Sequence, residues 1–210
     1  DPDPARRWVP DGRGYRFAFE GAAVDVEVRD ESGKVDLNGA PPELLARLFV
    51  QLGEPRGVAA RVAGAIADWR DADALDQPAG GAEDPDYAAA GLAWGAKDAP
   101  FETVPEVEQV LGMRPALYAA AAPFLTVYTG APQPDPLYAA AQVRAALGAA
   151  APVAADPLPG GGSGTYSIDS RARLADGRRA HLSVIVRAGG NAVPGSTYTP
   201  LRWQDGAGSP

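Results

Sequence analysis

The sequence contains no cysteine, which excludes disulfide frameworks, thiolate zinc sites and cysteine nucleophiles and leaves the redox compartment open. Histidine is almost as scarce, with His181 alone. It alternates with Leu182, Val184 and Val186 on a predicted strand and shares the solvent face with Ser183, which reads as an exposed strand histidine more readily than as a catalytic base, since a nucleophilic triad requires a partnered imidazole. No run approaches the roughly 20 apolar residues of a membrane helix, and no charged-then-apolar targeting segment opens the sequence. Basic residues are outnumbered, 19 Lys and Arg against 27 Asp and Glu, for a net charge of −8. Phosphate binding needs clustered cations, so nucleic acid is not an expected partner, and an anionic membrane surface would repel the chain. No phosphate loop is present, since Gly33-Lys34 runs into Val35 and lacks the upstream glycine pattern. Ser163 sits in a Gly-rich run, but Thr165 stands where a nucleophile elbow needs glycine.

Glycine and proline are plentiful, at 25 and 21 residues, and signal many turns with at least one linker. Tyr15, Phe17 and Phe19 share one parity, and Val24, Val26 and Val28 another. Both runs predict half-buried strands joined at Glu20-Gly21. Val35 and Leu37 form a short extended piece, and Asn38 is placed as the cap of a helix that opens on Pro41-Pro42. Leu44, Leu45, Leu48 and Leu52 then keep helical spacing until Gly53, and Val58, Val62, Ala65, Ile66 and Trp69 mark a second helix. The two resemble a helix-hairpin-helix, but Gly53-Glu54-Pro55-Arg56-Gly57 carries one acid and one base, which fits a packing hairpin better than a DNA grip. Short helices are expected at 105–111, 115–122 and 137–147. Thr165–Ala172 and Arg179–Arg187 alternate around an Asp176-Gly177 turn, a strong hairpin signal, and Tyr198–Trp203 could add a strand. The order is β, helical, β. It predicts an α+β fold in which both chain ends build one antiparallel sheet around a large all-α insertion. The expected divisions are a β portion over 1–37, a helical insertion over 38–148, a flexible linker over 149–164 and a C-terminal β portion over 165–210.

The segment 68–86 holds Asp68, Asp71, Asp73, Asp76, Glu83, Asp84 and Asp86 against Arg70 alone. Such a concentration of carboxylates repels itself unless it is solvated or neutralised. Three readings stand side by side: a solvated loop, a calcium site, and a glycosidase-type carboxylate pair. Calcium takes six to eight oxygens from an irregular loop, and Asp71 with Asp73 could meet Glu83 and Asp84 across the Gly80-Gly81 turn. The segment is not an EF-hand, because counting from Asp71 the sixth position is Asp76 and the twelfth Ala82. Zinc is disfavoured without cysteine or a nearby histidine. A hydrolase would want an aromatic-lined pocket, and only Tyr87 and Trp94 lie close in sequence.

Six motifs occur in order: Trp8-Val9-Pro10-Asp11-Gly12, Asp30 through Asn38, Ala67 through Asp73, Gly81-Ala82-Glu83-Asp84 with Tyr87, Thr103 through Val107, and Leu117-Tyr118 to Leu125-Thr126-Val127. Together they resemble the K-type minor pseudopilins of the type II secretion system, over nearly the whole chain. The resemblance implies a pilin-like α/β domain interrupted by a large helical domain, set at the tip of a periplasmic pseudopilus that supports protein export across the outer membrane. It implies a structural subunit, not an enzyme, with no catalytic residues. I-type and J-type minor pseudopilins are the implied partners, with the H-type as a further candidate. It also implies a periplasmic domain of a Gram-negative bacterium, anchored in the inner membrane by a hydrophobic helix ahead of the residues present here. Calcium is associated with the family, and Asp71, Asp73, Glu83 and Asp84 are the matching acids. A calcium-dependent extracytoplasmic module that recognises secreted cargo is the alternative reading. The chain departs from the family at Pro134-Asp135-Pro136-Leu137-Tyr138, where asparagines are usual, and in its Ala/Pro/Gly linker.

Overall fold

Alternation between apolar and charged residues builds the first element of the computed structural model, which describes residues 8–148, 162–189 and 197–208. The chain divides into two units, one formed by Asp1–Ser32 with Ala154–Pro210 and the other by Gly33–Val153. The expected linker falls mostly outside the described residues.

In the first unit, β1 (Asp11–Phe19), β2 (Ala22–Asp30), β5 (Thr165–Arg173), β6 (Arg179–Ala188) and β7 (Tyr198–Gly208) form an antiparallel sheet in the order β1-β2-β5-β6-β7. Both chain ends therefore contribute, with β2 against β5 as the seam. Glu20 and Gly21 close the first hairpin with φ of 47° and 80°, the positive values that a two-residue turn matched to strand twist requires. Opposite residues across the ladder point to the same face. One face accordingly collects Tyr15, Phe17, Val24, Val26, Ile168, Leu182 and Val184, and the other Arg16, Asp25, Glu27, Asp169, Arg171 and His181. Trp8 extends the apolar face by stacking on Tyr15, with ring centroids 4.8 Å apart. The seam is pinned by buried Asp30. Its carboxylate accepts from the Ser32 N–H and hydroxyl at 2.8 and 2.7 Å and from the Ser163 hydroxyl at 2.7 Å, which sets the entry of β5 beside β2.

The second unit is helical. In α1 (Pro42–Gln51), Leu44, Leu45, Leu48 and Phe49 are fully buried at helical spacing, each stabilising the fold by about 1.5–3 kcal/mol. Gly53 ends the helix at φ 98°, and the Glu54 N–H reaches back to the Phe49 carbonyl at 3.0 Å. Next, α2 (Arg56–Arg70) returns against α1 with Ala59, Val62, Ala63, Ile66 and Trp69 buried. Three short helices complete the unit: α3 (Asp84–Ala89), α4 (Pro115–Ala121) and α5 (Ala141–Leu147). The last begins later than 137, because Asp135 to Ala139 form turns ahead of it. Residues Val104–Gln109 adopt a 3-10 turn instead of the expected helix.

Two expectations change here. The unit is not wholly helical: β3 (Val35–Asp36) pairs in parallel with β4 (Leu125–Thr126). This ladder draws 33–37 into the helical unit, ahead of the expected 37/38 division. Asn38 does not cap α1, whose cap position is Pro41 without a side-chain bond. Its amide instead pairs with the Phe101 backbone, donating to the carbonyl at 2.9 Å and accepting from the N–H at 2.7 Å. A side-chain amide mimicking a strand neighbour across a gap of 63 positions leaves no local signal.

Candidate metal centre

The acidic segment gathers where α2 ends and α3 begins. Asp68 lies on the inner face of the last turn of α2 and is fully buried; Asp71 is the residue at its C-terminal cap; Glu83 precedes α3. Oxygens of these three carboxylates lie within 4.8 Å of one another. Trp69 and Tyr87 hold the two helix ends together, with ring centroids 6.0 Å apart. The Tyr87 hydroxyl accepts the Leu111 N–H at 3.1 Å, and burial pushes this phenol up to about 12.

Asp68 organises the intervening loop. Its two oxygens accept the Gln77 N–H at 3.2 Å and the Ala82 N–H at 2.7 Å. The loop lies directly on the helix: a Cβ on Gly64 would collide with the Gly80 carbonyl, and one on Gly81 with the Asp68 carboxylate. Both positions thus require glycine for close approach, not for flexibility. Glu83 enters α3 with its N–H given to Asp86 at 3.0 Å.

This arrangement leaves negative charge uncompensated. Among the described residues, Asp71 Oδ1 and Glu83 Oε1 are buried without a hydrogen-bond partner, and Glu83 is only 7% exposed. Buried carboxylate oxygens ordinarily have donors, and their absence costs free energy. Burial, then the neighbouring Asp68, Asp98, Asp71 and Asp76, pushes Glu83 up to about 7. Asp68 and Asp71 are raised in the same way, chiefly by burial, with the Ala82 N–H opposing at Asp68 and Arg70 at Asp71. The donor set is entirely oxygen, the chemistry a hard divalent cation takes. The residues fit such an ion.

Of the four acids expected as ligands, Asp71 and Glu83 come together here. Asp73 is exposed and its carboxylate accepts the Leu75 N–H at 3.0 Å. Asp84 accepts the Ala96 N–H at 3.1 Å, and a Cβ on Gly95 would collide with it, so this carboxylate anchors the 95–96 loop. Asp68 completes the trio in their place. The signal for it is its position about one helical turn before Asp71 and one after Ala65, on the side of α2 that Ala65 buries.

The family model described as Type II secretion system (T2SS), protein K matches residues 27–131, half of the chain. The chain belongs to this family. As a K-type minor pseudopilin it is a component of an envelope-associated secretion apparatus. Its fold is similar to that of a chain in the crystal structure of the GspK-GspI-GspJ complex from the enterotoxigenic Escherichia coli type 2 secretion system, with a TM-score of 0.68 at 17% identity. That likeness covers 98% of this chain and 89% of the other. No curated protein sequence matches it.

The matched stretch spans both the acid trio and a second centre, Asp36. Its Oδ1 accepts the Asn38 and Gly39 N–H groups at 2.8 and 3.1 Å, and its Oδ2 the Thr129 N–H, the Thr129 hydroxyl and the Gly130 N–H at 2.9, 2.9 and 2.8 Å. Arg70 sits nearby, donating to the carbonyls of Leu37 and of Ala40, the latter at 2.6 Å. A groove of about 650 Å³ lies elsewhere in this unit, lined by Trp69, Trp94, Lys97, Glu102 and Glu106 among others. Neither Glu83 nor Asp84 lines it. Its Glu106 is committed to Lys97 at 2.8 Å and the Trp69 indole N–H at 3.2 Å. No helix among the described residues is long and apolar enough to cross a membrane.

Proposed function

We propose that this minor pseudopilin is a structural, non-catalytic subunit at the tip of the pseudopilus, supporting export of proteins across the outer membrane. In this reading its pilin-like sheet unit faces the periplasm, an inner-membrane helix precedes it, and I-type and J-type minor pseudopilins are its partners. The observation that carries the reading is the protein K family match over residues 27–131. The likeness of 98% of the chain to a chain crystallised in a GspK-GspI-GspJ complex supports it. The test is to mix the chain with its cognate I-type and J-type soluble domains and follow them by size exclusion. A stable complex at micromolar concentrations is expected, and separate elution of the three would overturn the reading.

The second part of the proposal is that Asp68, Asp71 and Glu83 hold a calcium ion as a structural clamp. The two orphaned oxygens and the convergence of three carboxylates favour it. The ion would supply positive charge to a cluster that lacks it and tie the C-terminus of α2 to the N-terminus of α3. A ligand that binds only the folded chain at a hundredfold excess over Kd stabilises it by about 2.7 kcal/mol. Calcium should therefore raise Tm by several degrees, and a chelator should reverse the gain. No shift up to millimolar calcium would sink the clamp.

A further inference from the structure

The net charge of −8 is distributed unevenly. The sheet unit carries 11 Lys and Arg against 12 Asp and Glu, whereas the helical unit carries 8 against 15. Within the near-neutral sheet unit, the arginines concentrate around the β5–β6 hairpin. Across the charged face, cross-strand pairing makes rows. One row reads Arg16, Asp25, Arg171, His181, Gly206, and the next, nearer the hairpin turn, Ala18, Ala23, Arg173, Arg179, Gly208.

In the first row and the turn, each arginine has a carboxylate. Arg16 meets Asp25 at 2.6 Å, Arg171 meets Asp169 at 2.7 Å and Arg178 meets Asp176 at 2.7 Å. In the second row Arg173 and Arg179 stand directly opposite one another, both exposed, and among the described residues neither has a carboxylate partner. Like charges placed opposite on a sheet destabilise it. Their row neighbours Ala18 and Ala23 are small and exposed, so nothing bulky screens the pair from an incoming anion.

We propose that the Arg173–Arg179 row is a docking site for an acidic segment of a partner protein. Two neighbouring guanidinium groups match carboxylates spaced along an extended chain, and bidentate pairing gives both attraction and register. A membrane fits less well. Asp25, Glu27 and Asp169 lie on the same face, and the chain's excess of acid repels a continuous anionic surface. A discrete acidic segment can address the arginine row without meeting those acids. The inference stands on the sheet unit alone and holds whether or not the assembly reading does.

The experiment titrates a fluorescent twelve-residue Asp/Glu peptide onto the whole chain at low and at high salt, with anionic phospholipid vesicles as a separate probe. The wild type should bind the peptide with an affinity that falls as salt rises. Arg173→Ser with Arg179→Ser should weaken binding about tenfold or more at low salt, while Arg178→Ser, which breaks the Asp176 pair, should change it less than threefold. Removing an exposed like-charge pair should leave Tm unchanged or higher, so a loss of binding is not a loss of fold. Peptide binding that is absent, or that is unchanged in the double variant, overturns the proposal. Vesicle binding that the double variant abolishes overturns it in favour of a lipid surface.

Discussion

Two carboxylate centres of the helical unit are built from the same residue types and reach opposite ends. Asp36 is buried and accepts five hydrogen bonds, joining the 36–39 turn to the 129–130 turn. The trio of Asp68, Asp71 and Glu83 is also largely buried, but only Asp68 has backbone donors on both oxygens, and two oxygens of its neighbours have none. Hydrogen bonds to the charged form stabilise a carboxylate, whereas burial beside other carboxylates does the reverse. Asp36 is thus a finished structural device, and the trio is complete only with a cation or protons. The difference lies in what surrounds each site. Asp36 is enclosed by turns whose N–H groups point inward, whereas Asp71 and Glu83 sit at helix ends facing one another.

The largest effect should come from the finished centre. Asp36→Ala leaves the N–H groups of Asn38, Gly39, Thr129 and Gly130 without their acceptor. A buried donor left unmade costs roughly 1–3 kcal/mol, so the sum should reach about 4 kcal/mol or more in urea unfolding. The response of the surviving folded fraction to calcium should persist, because the trio is untouched. A loss below about 1 kcal/mol would show that water replaces the carboxylate and that the centre is dispensable.

Next in size is the unfinished centre. Glu83→Gln removes one charge from a mutually repelling set. In chelator its stability at neutral pH should equal or exceed that of the wild type, while the calcium-dependent rise of about 2.7 kcal/mol at a hundredfold excess should vanish. The same asymmetry appears as a pH dependence. With its folded-state value raised to about 7 from 4.5, Glu83 binds more protons folded than unfolded between those values. The Glu83 contribution to stability in chelator is therefore fully present below about pH 4.5 and is lost as pH rises through 7. Asp68 and Asp71 shift in the same direction and add to the trend. Calcium should flatten the profile, because it favours the charged carboxylates. A chelator profile that rises from pH 5 to 8 would reverse the assignment of the trio as the charge-burdened centre.

A smaller effect isolates the loop from the charges. Gly64→Ala puts a methyl group into the Gly80 carbonyl. Overpacking costs about 1–3 kcal/mol, and the gain in helix propensity of about 1 kcal/mol offsets part of it. The expected net loss is about 1–2 kcal/mol, accompanied by weaker calcium binding if Asp68 follows the displaced loop.

How much of this was legible depended on whether the signal was local. The strands over 11–30 and 165–187 follow from alternation, because each residue's side of the sheet is decided by its parity. The α1–α2 hairpin likewise follows from Leu44, Leu45, Leu48 and Gly53. Asn38 looks like a cap because capping is a local habit of asparagine, and its actual partner, Phe101, is remote. Asp36 shows only the local half of its role in the sequence, a turn onto the Asn38 and Gly39 N–H groups two and three positions on; its other donors, on Thr129 and Gly130, are 93 and 94 positions away. In the trio, Asp71 and Glu83 were visible as part of a charge excess. Asp68 reads in the sequence as a helix residue, although helical spacing puts it one turn from Asp71. Spacing along the loop gave Asp73 and Asp84 equal standing, yet each has a separate local bond.

Asp73 offers the finest test of where the unfinished centre ends. It is exposed, lies two positions from Asp71, and gives its carboxylate to the Leu75 N–H at 3.0 Å. Its charge contributes to raising Asp71, after burial. Asp73→Asn keeps an acceptor for Leu75 and removes only that charge. Thermal unfolding in chelator should change by less than about 0.5 kcal/mol, as for most surface substitutions. The calcium-induced rise in Tm should persist within the same margin, with Kd changed no more than severalfold through the lost long-range attraction. Abolition of the rise would mean that the Asp73 carboxylate swings from Leu75 to the ion, so that binding reorganises the loop and does not merely fill a preformed gap. Retention of the rise, set beside its loss in Glu83→Gln, confines the centre to the two helix ends and makes the orphaned oxygens themselves the ligands.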